Sequence, residues 1–285
     1  MKFSFVNVKS SEWKNGFLLG PSVLIIFAFV IFPLFRFFYL SFFAPQFTLS
    51  NYVRFFRTPV YMMVLLNTFK ISFVVTIICL VLGYPIAYLL GEVSPGKRNI
   101  LLIFVLLPYW TSILIRTYAW ITLLGSQGII NQILLGLGLI SRPIPMMFNN
   151  TSVVIGMVHV LLPMMVLPLY SVIVKIDRNL IKASYTLGAS PFQTFRNVFF
   201  PLSLPGVWSG FLLVFIISLG FFITPALLGG RKSMMLSMLI EQEVEYIMDW
   251  GFGAAISLIL LVATLIALFF YNRFVGLGKL VPGRK

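Results

Sequence analysis

Acid is what this chain of 285 residues has least of: seven Asp and Glu stand against 21 Lys and Arg. Charged residues make up 10% of it and hydrophobic residues 60%, and the mean hydropathy is +1.02. A soluble domain of this length needs far more polar surface. That excludes one and makes lipid the solvent for most of the chain. Cysteine occurs once, as Cys79 inside an apolar run, which excludes an internal disulfide and leaves it to pack as a small apolar side chain. Histidine also occurs once, as His159. No cluster of Cys, His and acid has metal-ligand spacing, so no metal site is assigned. The net charge of +14 is scattered between apolar runs rather than gathered in a patch. This argues against nucleic acid as a partner and for anionic lipid headgroups.

Two enzyme classes fall with missing motifs. A phosphate-binding loop reads G-x-x-x-x-G-K-[ST]. The nearest stretch, "PALLGGRKS", has Pro225 at the first glycine position and Arg231 between Gly230 and Lys232. An intramembrane serine protease would pair a serine with His159, and "WSG" offers Ser209. The usual G-x-S-G turn is absent, because the nearest preceding glycine is Gly206. No catalytic residue is assigned, and His159 is expected to be hydrogen-bonded between helices.

What is present is apolar length. A helix needs roughly 20 apolar residues to cross a ~30 Å hydrocarbon core. Six runs qualify, at about 17–40, 64–90, 100–124, 151–175, 206–229 and 251–272, each bounded by charge, Pro, Gly or Asn. They predict an all-α integral membrane protein with six transmembrane helices over 17–272, a cytoplasmic tail at 1–16 and a basic cytoplasmic tail at 273–285. The basic, then apolar, N-terminus is read as a retained first span, since the run is too long for a signal peptide and no small-residue cleavage site follows. Six spans put both termini on one side. With that side cytoplasmic, 13 of the 21 Lys and Arg lie there, which predicts an N-in, C-in orientation. Arg36, Lys70 and Arg116 then lie near outer span ends, where they snorkel. No Asp or Glu falls in any predicted span. Ion- and proton-driven carriers commonly place carboxylates there, so the driving force is expected from elsewhere.

The largest predicted cytoplasmic loop, 176–205, carries signals for two short helices. The first runs from about Asn179 to Leu187, with Asp177 or Asn179 as N-cap and Gly188 as the glycine that ends it. The second starts at "SPFQ", where Ser190 is the N-cap, Pro191 takes the first helical position and Gln193 completes a capping box. Pro201 is expected to stop it. Phe192, Phe195, Val198 and Phe199 form an apolar stripe expected to pack on the chain's own spans. The small residues Ala183, Ser184 and Gly188 are read as a docking face for a soluble partner.

Here the sequence resembles a family. Ala183, Gly188, Val198, Phe200 and Pro201 stand at the spacing of E-A-A-x3-G-x9-I-x-L-P, the cytoplasmic signature of ATP-binding-cassette importer permeases. Ser184 replaces the second alanine, and Lys182 stands where the family has Glu. Residues 65–90 resemble the opening of the shared permease core. Residues 107–140, 161–171 and 249–255 resemble the spermidine/putrescine branch more closely than the sugar or oxyanion branches. The resemblance implies a type I importer permease core in a bacterial inner membrane. Loop 176–205 becomes the ATPase-coupling element, with Lys182, Ala183, Ser184, Gly188, Ala189, Ser190, Pro191 and Pro201 carrying it. It implies no cofactor on this chain, with ATP-Mg on the partner. The implied partners are two ATP-binding subunits, a second and non-identical permease, and an extracytoplasmic solute-binding protein. The solute stays open among spermidine, putrescine, a related amine and an opine-like compound. A channel or secondary carrier working without an ATPase is the alternative.

A cationic solute with methylene segments needs acceptors and aromatic faces. Tyr109, Trp110, Thr111, Tyr118 and Trp120 along the third run, and Phe221, Phe222 and Thr224 before Pro225, are the path candidates. Four of the seven acids lie in "EQEVEYIMDW". Glu241 and Asp249 are singled out there as a cation-concentrating mouth, although the segment equally suits contact with the binding protein. Arg116 is expected to pair with one of these acids.

Overall fold

The computed structural model describes residues 21–43 and 46–275, so the predicted tail 1–16 and most of the tail 273–285 lie outside the described residues. The described residues are helical almost throughout. Among them, six helical segments are long and apolar enough to cross a membrane: Pro21–Phe42, Pro59–Glu92, Ile113–Gly136, Asn150–Ile173, Pro191–Leu219 and Trp250–Arg273.

We number the helices α1 (Pro21–Phe42), α2 (Ser50–Arg57), α3 (Pro59–Glu92), α4 (Pro95–Trp110), α5 (Ile113–Leu124), α6 (Ile129–Gly136) and α7 (Asn150–Ile173). They continue as α8 (Arg178–Thr186), α9 (Pro191–Leu219), α10 (Ile223–Leu228), α11 (Leu236–Glu241) and α12 (Trp250–Val275). Helices α3, α7 and α9 pack on one another at the centre. Their contact is a cluster of buried side chains that includes Val75, Cys79, Met157, Met165, Leu169, Val207 and Val214. Gly206 and Gly210, one turn apart on α9, make this possible. A β-carbon at Gly206 would sit 3.1 Å from the Leu169 Cα and the Pro168 carbonyl, and one at Gly210 would sit 2.7 Å from the Met165 sulfur. Small residues four apart let membrane helices approach this closely. A second cluster around Phe55, Leu236, Phe252 and Ile256 joins α2, α11 and α12, and α1 lies along α12.

Local chemistry explains the helix ends. The Asn149 side chain accepts from the Thr151 and Ser152 amides, and Ser152 returns a bond to the Asn149 amide, a capping box that starts α7. Pro163 and Pro168 lie inside α7 and Pro205 inside α9, each removing one backbone donor. The Ser171 hydroxyl donates to the Pro168 carbonyl at 2.8 Å, and the Ser209 hydroxyl to the Pro205 carbonyl at 2.7 Å.

Three predicted boundaries change. The run at 100–124 is not one helix. It breaks between α4 and α5 at Thr111 and Ser112, just after Pro108 removes a backbone donor, and the Thr111 hydroxyl then bonds the Pro108 carbonyl at 3.0 Å. The run at 206–229 ends at Leu219 and resumes as the separate α10. Pro201 does not stop a helix, because α9 runs from Pro191 to Leu219. A π turn at Phe195–Phe199 carries the Phe200 amide back to the Phe195 carbonyl, so the proline enters where the usual bonding register is already interrupted.

The topology gives the bundle two ends. Arg178 bonds the last residues of α3, placing the 174–199 loop at one end. Segments 46–58, 125–149 and 220–249 gather at the other, tied by the Ser152 hydroxyl to the Leu228 carbonyl and by the Asn67 amide to the Met234 carbonyl.

Candidate functional site

At the loop end, α8 starts at Asp177, whose carboxylate accepts from the Asn179 amide at 2.9 Å. It ends in a Schellman turn. Gly188 adopts φ +82°, its amide bonds the Tyr185 carbonyl and the Ala189 amide bonds the Ser184 carbonyl. Two residues on, Ser190 and Gln193 form a reciprocal capping box at the start of α9. The Ser184 and Thr194 hydroxyls meet at 2.9 Å in a buried contact that closes the two helices into one unit. Ser184 therefore faces inward, a correction to its reading as part of the docking face: a mid-helix hydroxyl finds its partner between the helices rather than outside.

What remains outside is Lys182, Ala183 and Gly188, with Tyr185 and Leu187 beside them; Leu187 is 87% exposed. The aromatic stripe divides. Phe199 is buried against Tyr88, Phe195 sits edge-on to Tyr84, and Phe192 is 69% exposed next to the Gly188 turn. Pro191 and Pro201 are also exposed, and Ala189 is partly covered.

Two contacts tie this unit to the spans. Arg178, first residue of α8, bonds the Glu92 carboxylate through Nη1 and the Gly91 carbonyl through Nη2 at 2.9 Å. The Tyr84 and Ser203 hydroxyls meet at 2.8 Å between α3 and α9. Neither Arg178 nor Glu92 stands out in the sequence, because the two are 86 residues apart.

At the far end the acids separate into different roles. Asp249 caps α12, its Oδ1 accepting from the Phe252 amide at 3.0 Å, while Oδ2 pairs with Arg54 Nη1 at 2.9 Å. The Arg54 guanidinium also lies 3.9 Å over the Phe252 ring and 3.8 Å from Glu243. Glu243 is buried, with Oε2 unpartnered among the described residues. Burial pushes its carboxyl pKa up, Arg54 opposes this and Asp249 adds to it. Asp249 is thus occupied by structure, which displaces it as a free cation-attracting mouth. Arg54, the residue that occupies it, lies 195 residues away in the chain, and no local signal pointed to it.

Arg116 does not pair with these acids. Its Nε and Nη1 are buried without a partner among the described residues, while on the same helix Trp120 donates to His159 Nδ1 at 3.2 Å. Tyr109, Trp110, Thr111 and Tyr118 are exposed side chains of α4, α5 and the break between them. Thr224 is buried with its hydroxyl unpartnered among the described residues, and Phe221 is half-buried. Of the path candidates, Phe222 and Glu241 line one cleft, together with Gln242 and Tyr246, which the sequence did not single out.

Residues 11–276 match the family model described as "Binding-protein-dependent transport system inner membrane component". The spermidine/putrescine transport system permease protein PotB of Haemophilus influenzae is 41% identical over 233 residues, covering 82% of this chain and 81% of that protein. Its Escherichia coli counterpart is 42% identical, covering 82% and 84%. The inner membrane ABC transporter permease protein YdcU of E. coli is 31% identical over 80% of this chain and 76% of its own length. Among solved structures, a bacterial ABC transporter that imports alginate aligns with TM-score 0.71 at 19% identity, over 93% of this chain and 96% of that chain. The inward-facing methionine transporter MetNI aligns with TM-score 0.56 at 18% identity, over 77% and 97%.

Proposed function

Because this chain belongs to the binding-protein-dependent transport system inner membrane components, we propose that it forms half of an ATP-driven import path for a small polyamine such as spermidine or putrescine. It is a multi-pass inner-membrane component with the all-α permease fold. The family is the non-enzymatic membrane part of such systems, so ATP hydrolysis falls to a separate subunit.

The observation that carries the substrate class is the 42% identity to a spermidine/putrescine permease across 82% of the chain. Lipid-spanning segments without acids support an external energy source: among the described residues Glu92, at the very end of α3, is the one acid in a candidate span. Nothing favours the carrier or channel alternative.

In this reading α8 and the start of α9 seat on an ATPase subunit. Leu187, Phe192 and Tyr185 supply apolar contact around the Gly188 turn, and Lys182 supplies a charge to an acid of the partner. The chain itself holds no cofactor, and ATP-Mg sits on two ATPase subunits. A second, non-identical permease completes the path, and an extracytoplasmic binding protein delivers the solute. The termini are cytoplasmic, which puts the α8 end inside and the Arg54–Asp249 end outside.

Reconstitution tests this. The chain with its permease partner, ATPase and binding protein in proteoliposomes is expected to accumulate radiolabelled putrescine or spermidine only with ATP inside. Uptake by this chain alone without ATP would refute it.

A further inference from the structure

The sequence of the far end is acidic without explanation: four carboxylates in nine residues, of which Arg54 engages Glu243 and Asp249. Glu245 is exposed and does not line the cleft that holds Glu241. Glu241 differs from all three. It is partly covered, its carboxylate makes no hydrogen bond or ion pair among the described residues, and it lines a cleft of about 380 Å³ with Phe222, Met234, Met238, Gln242 and Tyr246.

We infer that this cleft is an ammonium-binding subsite of the permease itself, in which the Glu241 carboxylate takes the terminal ammonium of an alkyl di- or polyamine. The inference rests on the polyamine reading above and deepens it.

The lining selects the ligand's chemistry. It contains one carboxylate and no Lys or Arg, so an anion or a dicarboxylate finds no counter-charge there. An ammonium finds one, and the amide of Gln242 and the phenol of Tyr246 can accept its remaining protons. Phe222 and Tyr246 contribute ring faces, which attract alkylammonium groups and tolerate their methylenes. Met234 and Met238 add flexible apolar surface against which a four-carbon spacer can lie. The volume falls within the range of small-molecule sites, roughly 300–1,000 Å³.

Position strengthens the case. Phe222 lies just past the end of α9, while Glu241 closes α11 and Tyr246 precedes α12. A ligand here bridges the segments that connect two spans, at the end opposite the ATPase-coupling helices. The other two covered carboxylates, Glu243 and Asp249, both face Arg54. That leaves Glu241 as the acid with its charge free in this cleft.

The test uses the complete transporter in proteoliposomes with its binding protein, and radiolabelled putrescine as probe. Glu241→Gln keeps the shape and removes the charge. It is expected to raise KM for uptake about tenfold, the loss of one charge-assisted contact. Glu241→Asp should recover part of this, and Tyr246→Phe should keep more uptake than Tyr246→Ala. The exposed neighbour Glu245→Gln, assembled to the same level, should stay near wild type. Wild-type uptake with Glu241→Gln unchanged overturns the subsite and leaves the polyamine reading standing. An equal loss in Glu245→Gln also overturns it, since general surface charge would then be responsible. Absence of any putrescine or spermidine uptake by the wild-type complex overturns the polyamine reading, and the subsite with it.

Discussion

Gly188 takes φ +82°, and a β-carbon built there meets nothing within 4 Å. Any side chain is therefore resisted by the backbone and not by neighbours, at about 1–2 kcal/mol for a left-handed L-residue. Gly188→Asn should keep much of the ATP-driven uptake, because Asn tolerates this conformation. Gly188→Glu adds a long charged group to the exposed turn and should abolish uptake with membrane insertion unchanged, read by uptake against immunodetected chain. Glu243 is a second single-residue case. Its carboxyl pKa is raised in the fold, first by burial, with Arg54 opposing and Asp249 reinforcing. A raised acid pKa means that the protonated form is favoured by folding. The stabilisation is full below the unfolded value of about 4.3 and is lost as pH rises through the higher folded value. Glu243→Gln should remove this slope. The difference in Tm between variant and wild type in detergent should widen in favour of the variant as pH increases across that window. Gly188 was readable from its place between two capped helices. Glu243 was visible only as one acid among four, since its burial depends on α12 and on Arg54.

At the scale of elements, the contact between α9 and α7 turns on two glycines that differ in what they face. Gly210 would place a β-carbon 2.7 Å from the Met165 sulfur, a movable side-chain atom, though also 3.1 Å from the Met165 carbonyl. Gly206 would meet the Leu169 Cα and the Pro168 carbonyl, which are backbone. Both Gly→Ala changes should destabilise by about 1–3 kcal/mol. Met165→Ala should recover part of the loss at Gly210 and none at Gly206, measured as Tm or as the yield of monodisperse protein. The G-x-x-x-G spacing of Gly206 and Gly210 was present in the sequence and is the signal that finds this contact. The break after Pro108 and the π turn before Pro201 were harder to read. A proline weakens a helix locally, but whether the helix stops, breaks or widens depends on which neighbouring carbonyls find another donor, here the Thr111 hydroxyl.

Over the whole molecule, the two ends are connected through α3, whose last residues Gly91 and Glu92 are held by Arg178 of α8. Both charged side chains are about two-fifths exposed, 40% and 39%. An exposed pair adds little to stability, about 0–1 kcal/mol. Its expected value is mechanical: if α8 docks on an ATPase subunit as proposed, movement of α8 reaches α3 through this contact. Arg178→Glu or Glu92→Arg should each cut ATP-driven uptake several-fold with Tm nearly unchanged, and the double reversal should restore uptake. Equal uptake in the single variants would show that the movement passes through α9 instead, by way of Tyr84 and Ser203.

The sequence by itself determined that this chain lives in lipid, that its backbone is helical, and where the two helices around Gly188 begin. Apolar length and capping residues act within a few positions of themselves, so they are legible in one dimension. The tertiary structure decided which side chains meet. It turned Ser184 inward to Thr194, matched Arg54 with an acid 195 residues distant, and left Glu241 alone of its acidic run facing a cleft with Phe222. Charges and hydroxyls choose partners by proximity in three dimensions, and in a chain with only seven acids each such choice settles where an uncommitted charge remains.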